Sequence, residues 1–184
     1  MNYCSQCGRE VSQKIPEGDN RPRYVCDGCD TIHYQNPRII TGCLITHEDQ
    51  VLLCQRAINP RSGFWTLPAG FLENGESTSM GALRETREEA NANAEILDFY
   101  TLFSLPHISQ VYMFYRARLL DLDFSPGEES LDVRLFSENE IPWDQLAFPV
   151  VNQTLEHYFN DRRTEQFTPR AIDLIVDPAR RLVR

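Results

Sequence analysis

Residues 70–92 read GFLENGESTSMGALRETREEANA, and this stretch determines how the rest of the chain is interpreted. If its second half is helical, Glu85, Glu88 and Glu89 share one face, because residues three and four apart are neighbours on a helix. Carboxylates at that spacing repel one another unless a cation lies between them. Hard divalent ions such as Mg²⁺ bind a few carboxylates together with oxygens of a substrate phosphate. The pattern therefore indicates metal-assisted phosphate chemistry, with a solvated acidic helix face as the alternative.

The spacing of this stretch resembles the signature of the Nudix hydrolases, Gly-x5-Glu-x7-Arg-Glu-U-x-Glu-Glu-x-Gly-U, in which U is a bulky aliphatic residue. Thr86 and Ala92 replace two of the aliphatic residues, and Asn91 replaces the second glycine. That glycine closes the helix in a left-handed conformation, for which asparagine is the next best residue. The positions that fit the signature are Gly70, Glu76, Arg84, Glu85, Glu88 and Glu89.

The resemblance implies a role for each of these residues. The three glutamates that share a helix face become ligands of Mg²⁺ (or Mn²⁺), helped by a main-chain carbonyl near Gly70. Arg84 and Glu76 form an ion pair that orients the helix and so supports the metal ligands.

A general base is harder to assign. Some Nudix enzymes use a carboxylate of the signature just described, which we call the box, and others use one on a later loop. The loop PGEES at residues 126–130 is the second source, and within it we favour Glu129 over Glu128. A solvated carboxylate is the alternative interpretation of either residue.

Four further residues are candidates for binding the substrate. Arg56, before the Gly-Phe-Trp loop, is the preferred anion ligand, because a guanidinium matches phosphate oxygens bidentately, and Arg61 is the second choice. Either arginine could instead be a surface charge. His107 and Gln110 could contact the nucleotide, or they could simply belong to a loop that enters a strand.

Four of the six cysteines have the spacing of a metal site. Two Cys-x2-Cys pairs separated by eighteen residues are typical of a tetrahedral structural zinc site. Disulfides or a redox motif are the alternatives, but the chain shows no secretion signal that would favour disulfides. The two remaining cysteines, Cys43 and Cys54, lie in apolar stretches and are expected to be buried free thiols. The predicted zinc ligands are Cys4, Cys7, Cys26 and Cys29.

Composition restricts the partners. The net charge of −9 over 184 residues argues against bulk binding of nucleic acid, which requires neutralisation of phosphates by cationic groups. It also repels anionic substrates, so bound cations and local arginines must reverse the field at the site. Without a long apolar run or an N-terminal signal pattern, we expect a cytoplasmic protein that does not bind membranes.

The order of elements predicts an α/β (α+β) fold: a mixed sheet between helices, preceded by a small zinc ribbon. We assign residues 1–35 to the ribbon, 36–163 to the hydrolase domain and 164–184 to a C-terminal tail. The acidic helix is capped by Glu76 or Ser77 and ends near Ala90. In the tail, residues 172–176 either add an edge strand or are poorly ordered.

Strands are predicted at residues 38–44, 51–56, 94–105, 110–119 and 131–136. A last helix begins near Pro149. It places Val151, Leu155 and Tyr158 on one face.

A ribbon ahead of the box resembles the NADH pyrophosphatases, but their Ser-Gln-Pro-Trp-Pro-Phe-Pro segment is missing. In its place residues 102–112 read LFSLPHISQVY, which is more similar to the ribbon-bearing relatives that cleave ADP-ribose and FAD. We therefore expect a Mg²⁺-dependent hydrolase of small-molecule nucleotides that releases AMP from ADP-ribose or FAD, with NADH as the alternative substrate. Relatives commonly form homodimers. A nucleotide-sensing regulator without turnover and a nucleic-acid module led by the ribbon are the other classes.

Overall fold

The computed structural model describes residues 1–175, which fall into two compact units. The first unit comprises Met1–Pro37, and the second begins at Arg38. Part of the tail, from Val176 onward, lies outside the described residues, and so does the last position of the predicted tail strand.

The first unit contains a small antiparallel sheet. Its strands are β1 (Ser12–Lys14), β2 (Arg23–Val25) and β3 (Ile32–His33), paired in the order β1-β2-β3. Cys4 and Cys26 are buried. Beyond these two cysteines, Val25 is the one other apolar side chain of the unit that is buried. So small an apolar core cannot hold the unit together without help, as expected of a segment stabilised by a metal.

The described part of the second unit contains eight strands and two α-helices. They are β4 (Arg38–His47), β5 (Gln50–Arg56), β6 (Trp65–Thr66), β7 (Ala69–Phe71), α1 (Thr78–Ala90), β8 (Ala94–Leu105), β9 (Gln110–Leu119), β10 (Ser130–Phe136), α2 (Pro149–Arg162) and β11 (Arg170–Asp173).

The strands form one mixed sheet in the order β10-β5-β4-β9-β8-β11, with β6 paired to β5 and β7 to β4. The β4–β9 and β8–β11 pairs are parallel, and the other pairs are antiparallel. The predicted α/β class with a mixed sheet is therefore confirmed. In the tail, the strand alternative is confirmed for Ile172 and Asp173, which pair with β8.

Each helix covers one face of the sheet. Successive buried residues of β4 and β5 belong to different hydrophobic clusters, because side chains along a strand point alternately to its two faces. One cluster joins Leu44 and Leu53 to Leu155 of α2. The other joins Ile45 to Ala82 of α1. The sheet is thus the middle layer of a sandwich.

The acidic helix has the predicted ends. Ser77 is the N-cap, and its Oγ accepts a hydrogen bond from the Met80 N–H at 3.2 Å. Asn91 closes the other end at φ 48°, and its N–H donates to the Arg87 carbonyl at 2.9 Å. Asparagine therefore takes the left-handed conformation expected of the glycine in the signature.

Most of the other predicted elements are present with small changes. The strand predicted at residues 38–44 is β4, which runs to His47. The strand predicted at residues 131–136 is β10, which begins at Ser130. Cys43 and Cys54 are buried free thiols, as predicted. None of the helices in the described range is long and apolar enough to cross a membrane.

Candidate active site

A cavity of about 1450 Å³ lies beside α1 in the second unit. One part of its wall is acidic and comes from α1 and from the loop before β10. The rest of the wall combines arginines with aromatic and apolar side chains. The wall includes Arg38, Arg56, Phe71, Glu85, Glu88, Glu89, His107, Gln110, Tyr112, Glu128, Glu129 and Phe148.

Gly70 allows a carboxylate of α1 to approach the backbone of β7. A Cβ atom at residue 70 would lie 2.4 Å from Oε1 of Glu85, so any other residue would displace this side chain. Pairing of Gly70 with Thr41 of β4 fixes the backbone at this point. The glycine therefore lets the Glu85 carboxylate, an oxygen ligand of the kind that Mg²⁺ binds, lie against the main chain of β7.

Arg84 makes the ion pair that the sequence suggests. Its Nη2 and Nε donate to the two carboxylate oxygens of Glu76 at 2.8 and 3.1 Å, and Nη2 also donates to the Phe71 carbonyl at 3.1 Å. The Glu73 N–H donates to Glu76 as well, at 2.8 Å. These hydrogen bonds, chiefly those from Arg84, lower the pKa of Glu76 to about 2.

The same guanidinium reaches two of the predicted metal ligands, which the sequence did not suggest. Its Nη1 donates to Oε1 of Glu85 at 2.7 Å and to Oε2 of Glu88 at 2.9 Å. The contacts partly compensate the like charges on this helix face. Within the described residues, the carboxylate oxygens of Glu85, Glu88 and Glu89 do not all lie within 4.8 Å of one another.

Glu89 is the one glutamate of this helix face that receives no hydrogen bond from Arg84 in the described structure. Its side chain is buried, and its hydrogen bond from the Ala69 N–H is long, at 3.4 Å. Burial, followed by repulsion from Glu85, raises its pKa from 4.5 to about 8. The pKa of Glu85 is raised too, mainly by burial. Glu89, a buried carboxylate with one long hydrogen bond, is suited to a bound cation, which would add positive charge beside it.

This pKa makes the stability of the metal-free protein depend on pH. Between the unfolded pKa of Glu89 and its folded pKa of about 8, the folded state holds a proton that the unfolded state has released, so stability falls as pH rises. Glutamine at this position cannot ionise. We expect Glu89→Gln to be more stable than wild type by about 2–4 kcal/mol near pH 9 and by much less near pH 5.

Urea unfolding checks this prediction. It is measured without added Mg²⁺ and without a chelator, so that zinc stays on the cysteines. The free energy of unfolding of the variant should still fall somewhat as pH rises, because burial also raises the pKa of Glu85. Identical slopes of stability against pH in the two proteins would contradict the assignment to Glu89.

The loop before β10 lies directly against the end of α1. The Gly127 N–H donates to the Glu89 carbonyl at 3.0 Å. A Cβ atom at residue 127 would lie 1.7 Å from the Glu88 carbonyl oxygen, so only glycine fits. At the other end of the loop, the Ala57 N–H donates to the Glu129 carbonyl at 2.8 Å. Glu128 and Glu129 are thereby held in the wall of the cavity.

Three of the four predicted substrate residues line this cavity. The guanidinium of Arg56, at the end of β5, lies 5.2 Å from the Phe148 ring centroid. His107 lies between β8 and β9, and Gln110 is the first residue of β9. Arg61 is absent from the described lining. Its guanidinium lies 5.2 Å from the ring centroid of Phe64, because the chain turns at Arg61 with a φ of 65°.

Several lining residues were not predicted from the sequence. Arg38 lies at the start of β4, with its guanidinium 4.9 Å from the Phe71 ring centroid. Tyr112 belongs to β9, and Phe148 immediately precedes α2. The positive charge of Arg38 at the start of a predicted strand could have indicated that this residue lies at the site. The two aromatics carry no local signal, because ordinary core residues have the same pattern.

The four cysteines of the first unit form a compact group. Their sulfur atoms all lie within 4.8 Å of one another, at 3.7 Å for Cys4 and Cys29 and 3.4 Å for Cys7 and Cys26. Tetrahedral zinc with bonds of about 2.3 Å requires sulfur separations of about 3.8 Å, so the cluster fits this ion. None of the six cysteines is in a disulfide.

Two family models match the chain. The model described as "NUDIX domain" matches residues 36–158, and the one described as "Nudix N-terminal", a zinc ribbon, matches residues 2–35. The chain belongs to the Nudix hydrolase family. The resemblance seen in the box and in the cysteines is therefore confirmed. This family generally uses divalent metal ions, and the carboxylates described above fit that use.

Relatives point to nucleotide-linked pyrophosphates. A crystal structure of a Nudix hydrolase from Nitrosomonas europaea is 57% identical with a TM-score of 0.92, covering 95% of this chain and 99% of its own. The NAD-capped RNA hydrolase NudC of Photorhabdus laumondii is 31% identical over 83% of this chain. The match spans 56% of the length of NudC. An ADP-ribose pyrophosphatase of Methanocaldococcus jannaschii is 26% identical over 77% of this chain and 80% of its own.

Proposed function

We propose that this chain hydrolyses the pyrophosphate of a nucleoside diphosphate linked to another group, with ADP-ribose or FAD as substrate and AMP as one product. The observation that carries the proposal is the composition of the cavity. Its acidic wall meets a wall with Arg38, Arg56 and aromatic rings within one space of about 1450 Å³. That volume exceeds the range of about 300–1,000 Å³ that is typical of ligand pockets, so it has room for a dinucleotide-like substrate.

The residues divide the work between charge and orientation. Glu85, Glu88 and Glu89 would hold Mg²⁺ (or Mn²⁺) with an oxygen near Gly70. Such an ion acidifies bound water and neutralises charge that develops on the phosphates. Arg84 and Glu76 orient the helix that carries these carboxylates.

Glu129 is our choice for the general base. Hydrolysis forms a bond between a water oxygen and one phosphorus, breaks the bridging P–O bond and transfers the proton of the water to the base. Glu129 lines the cavity, and its main chain is fixed to Ala57. Glu128 lines the same cavity and is the alternative.

Arg56 offers the phosphates a bidentate donor in the wall of the same cavity as the carboxylates. Its side chain is partly held by a hydrogen bond from Nε to the Pro60 carbonyl at 3.0 Å, and its two terminal nitrogens donate to no group in the described structure. Phe148, which lies against this guanidinium, and Tyr112 offer ring faces for a nucleobase.

A second candidate substrate is NADH, or the NAD cap of an RNA. It is favoured by the relatives named NAD-capped RNA hydrolase, two of which match 83% and 88% of this chain. The net charge of −9 favours a small nucleotide over a long RNA.

A hydrolysis panel tests the proposal. ADP-ribose, FAD, NADH, NAD⁺, a dinucleoside polyphosphate, nucleoside triphosphates and an NAD-capped RNA are each incubated with and without Mg²⁺, and the products are separated by chromatography. We expect Mg²⁺-dependent release of AMP, fastest from ADP-ribose or FAD. Binding of these compounds without turnover of any would favour a nucleotide-sensing regulator instead.

Zinc is proposed as the ion of the four cysteines. Because the first unit has so small an apolar core, loss of the ion should unfold it. We expect Cys26→Ser to lower the zinc content from about one equivalent per chain and to expose residues 1–35 to proteases. Cys43→Ala removes a buried thiol outside the cluster and should leave the zinc content unchanged. Full protease resistance of zinc-free Cys26→Ser would contradict a structural role for the metal.

A further inference from the structure

Asn91 does more than close the acidic helix. Its backbone lies in the left-handed region at φ 48° and ψ 24°, and its N–H already satisfies the Arg87 carbonyl. Glycine would meet both requirements at least as well, because it has no Cβ to oppose a positive φ. The asparagine side chain must therefore be explained by its own contacts.

The side chain of Asn91 reaches across to the loop before β10. Its Nδ2 lies 3.2 Å from each of three acceptors, the carbonyl and Oγ of Ser125 and the carbonyl of Pro126. In the opposite direction, the Ser125 N–H donates to the Ala90 carbonyl at 2.9 Å, and the Gly127 N–H donates to that of Glu89. The last carbonyls of a helix lack partners within it, so the loop satisfies them.

The contacts are reciprocal and bind the two segments together. Main-chain donors of the loop satisfy the helix end, and the amide of Asn91 satisfies acceptors of the loop. Residues 125–127 are consequently hydrogen-bonded to the last turn of α1 from both sides, and this turn also carries Glu88 and Glu89. Glu128 and Glu129 follow directly, so their distance from the helix carboxylates depends on this attachment.

We propose that Asn91 is a positioning residue that fixes the loop carboxylates, Glu129 above all, relative to the carboxylate face of α1. The inference rests on the proposed function, because it presumes that Glu129 takes part in hydrolysis. The position where the family signature has glycine thus gains a second task in this chain.

The test replaces Asn91 by glycine, which keeps the backbone conformation and removes only the side chain. Misplacement of a catalytic group by about 1 Å can cost up to about 100-fold in rate, and we expect Asn91→Gly to lower kcat by about tenfold. KM and the Mg²⁺ concentration for half-maximal rate should change less than about twofold, since the residues on α1 are untouched. Glu48→Gly is the matched control, because Glu48 also has a left-handed backbone, at φ 52°, and lies in the β4–β5 turn.

A double-mutant cycle separates positioning from general stabilisation. If Asn91 acts through Glu129, Asn91→Gly should cost less than about twofold in a Glu129→Gln background. The full tenfold cost in both backgrounds would overturn the proposal, as would a wild-type kcat in Asn91→Gly.

Amide hydrogen exchange provides a measurement that does not depend on turnover. Asn91→Gly should accelerate exchange of the Gly127 N–H at least about tenfold, while Glu48→Gly leaves it unchanged. If wild type hydrolyses nothing in the panel, the proposed function fails, and this measurement alone decides whether Asn91 holds the loop. Unchanged exchange at Gly127 in Asn91→Gly would overturn the proposal in either case.

Discussion

Glu89→Gln should lower the rate of Mg²⁺-dependent hydrolysis by about 10³-fold, which corresponds to about 4 kcal/mol of transition-state stabilisation. The reason lies in the surroundings of Glu89. Its carboxylate is buried and has one long hydrogen bond in the described structure. Burial and Glu85 outweigh the attraction of Arg56 and raise its pKa to about 8, so a bound cation would add charge compensation that the protein does not supply. Glutamine has nearly the same shape but no charge, so the packing of α1 should be retained while affinity for the ion is lost.

Initial rates over a range of Mg²⁺ concentrations measure this effect. Glu156→Gln makes the same chemical change at an exposed position of α2 and should retain full activity. Circular dichroism of Glu89→Gln should match that of wild type. A variant that is folded and hydrolyses its substrate within about tenfold of the wild-type rate would exclude Glu89 as a metal ligand.

The acidic helix was predictable because its signals are local. Ser77 and Asn91 mark its ends, and the spacing of the glutamates fixes which face they share. Strands β8 and β9 were equally predictable from their continuous β-prone sequence. In each case the information lies within a few residues of the element that it describes.

The parts of the site that the sequence did not predict depend on contacts between distant residues. Phe148 approaches Arg56 only because α2 packs on the sheet face next to β5, and no pattern around residue 148 indicates this. Arg61 was the second choice as an anion ligand, on the same chemical ground as Arg56. A turn with a positive φ directs it to Phe64 instead.

Arg84 shows how a family role can be incomplete. The resemblance implies a pair with Glu76, and the structure has that pair, but Nη1 also joins Glu85 to Glu88. Two of the predicted metal ligands thus share one guanidinium. Arg84, itself part of the box, therefore supplies positive charge at this helix face. This explains how a chain of net charge −9 tolerates the cluster of glutamates on α1.

Gly127→Ala should both destabilise the second unit and impair hydrolysis. The new methyl group would lie 1.7 Å from the Glu88 carbonyl oxygen and 3.2 Å from the Glu89 carbonyl carbon. Both are backbone atoms of α1, which cannot move aside as a flexible side chain could. Overpacking of this kind costs about 1–3 kcal/mol, and we expect the upper end of that range because the loop must separate from the helix.

Separation of the loop should also move Glu128 and Glu129 away from the carboxylates of α1, so kcat should fall at least about tenfold. Urea unfolding measures the first effect and steady-state kinetics the second. Gly63→Ala is the comparison, because a Cβ there meets nothing within 4 Å and the cost of about 1 kcal/mol arises only from its φ of 84°. If Gly127→Ala is no less stable than Gly63→Ala and retains full kcat, the loop is not held against α1 as described. If stability falls while kcat is unchanged, the attachment serves the fold alone, and the general base must be sought among the carboxylates of α1.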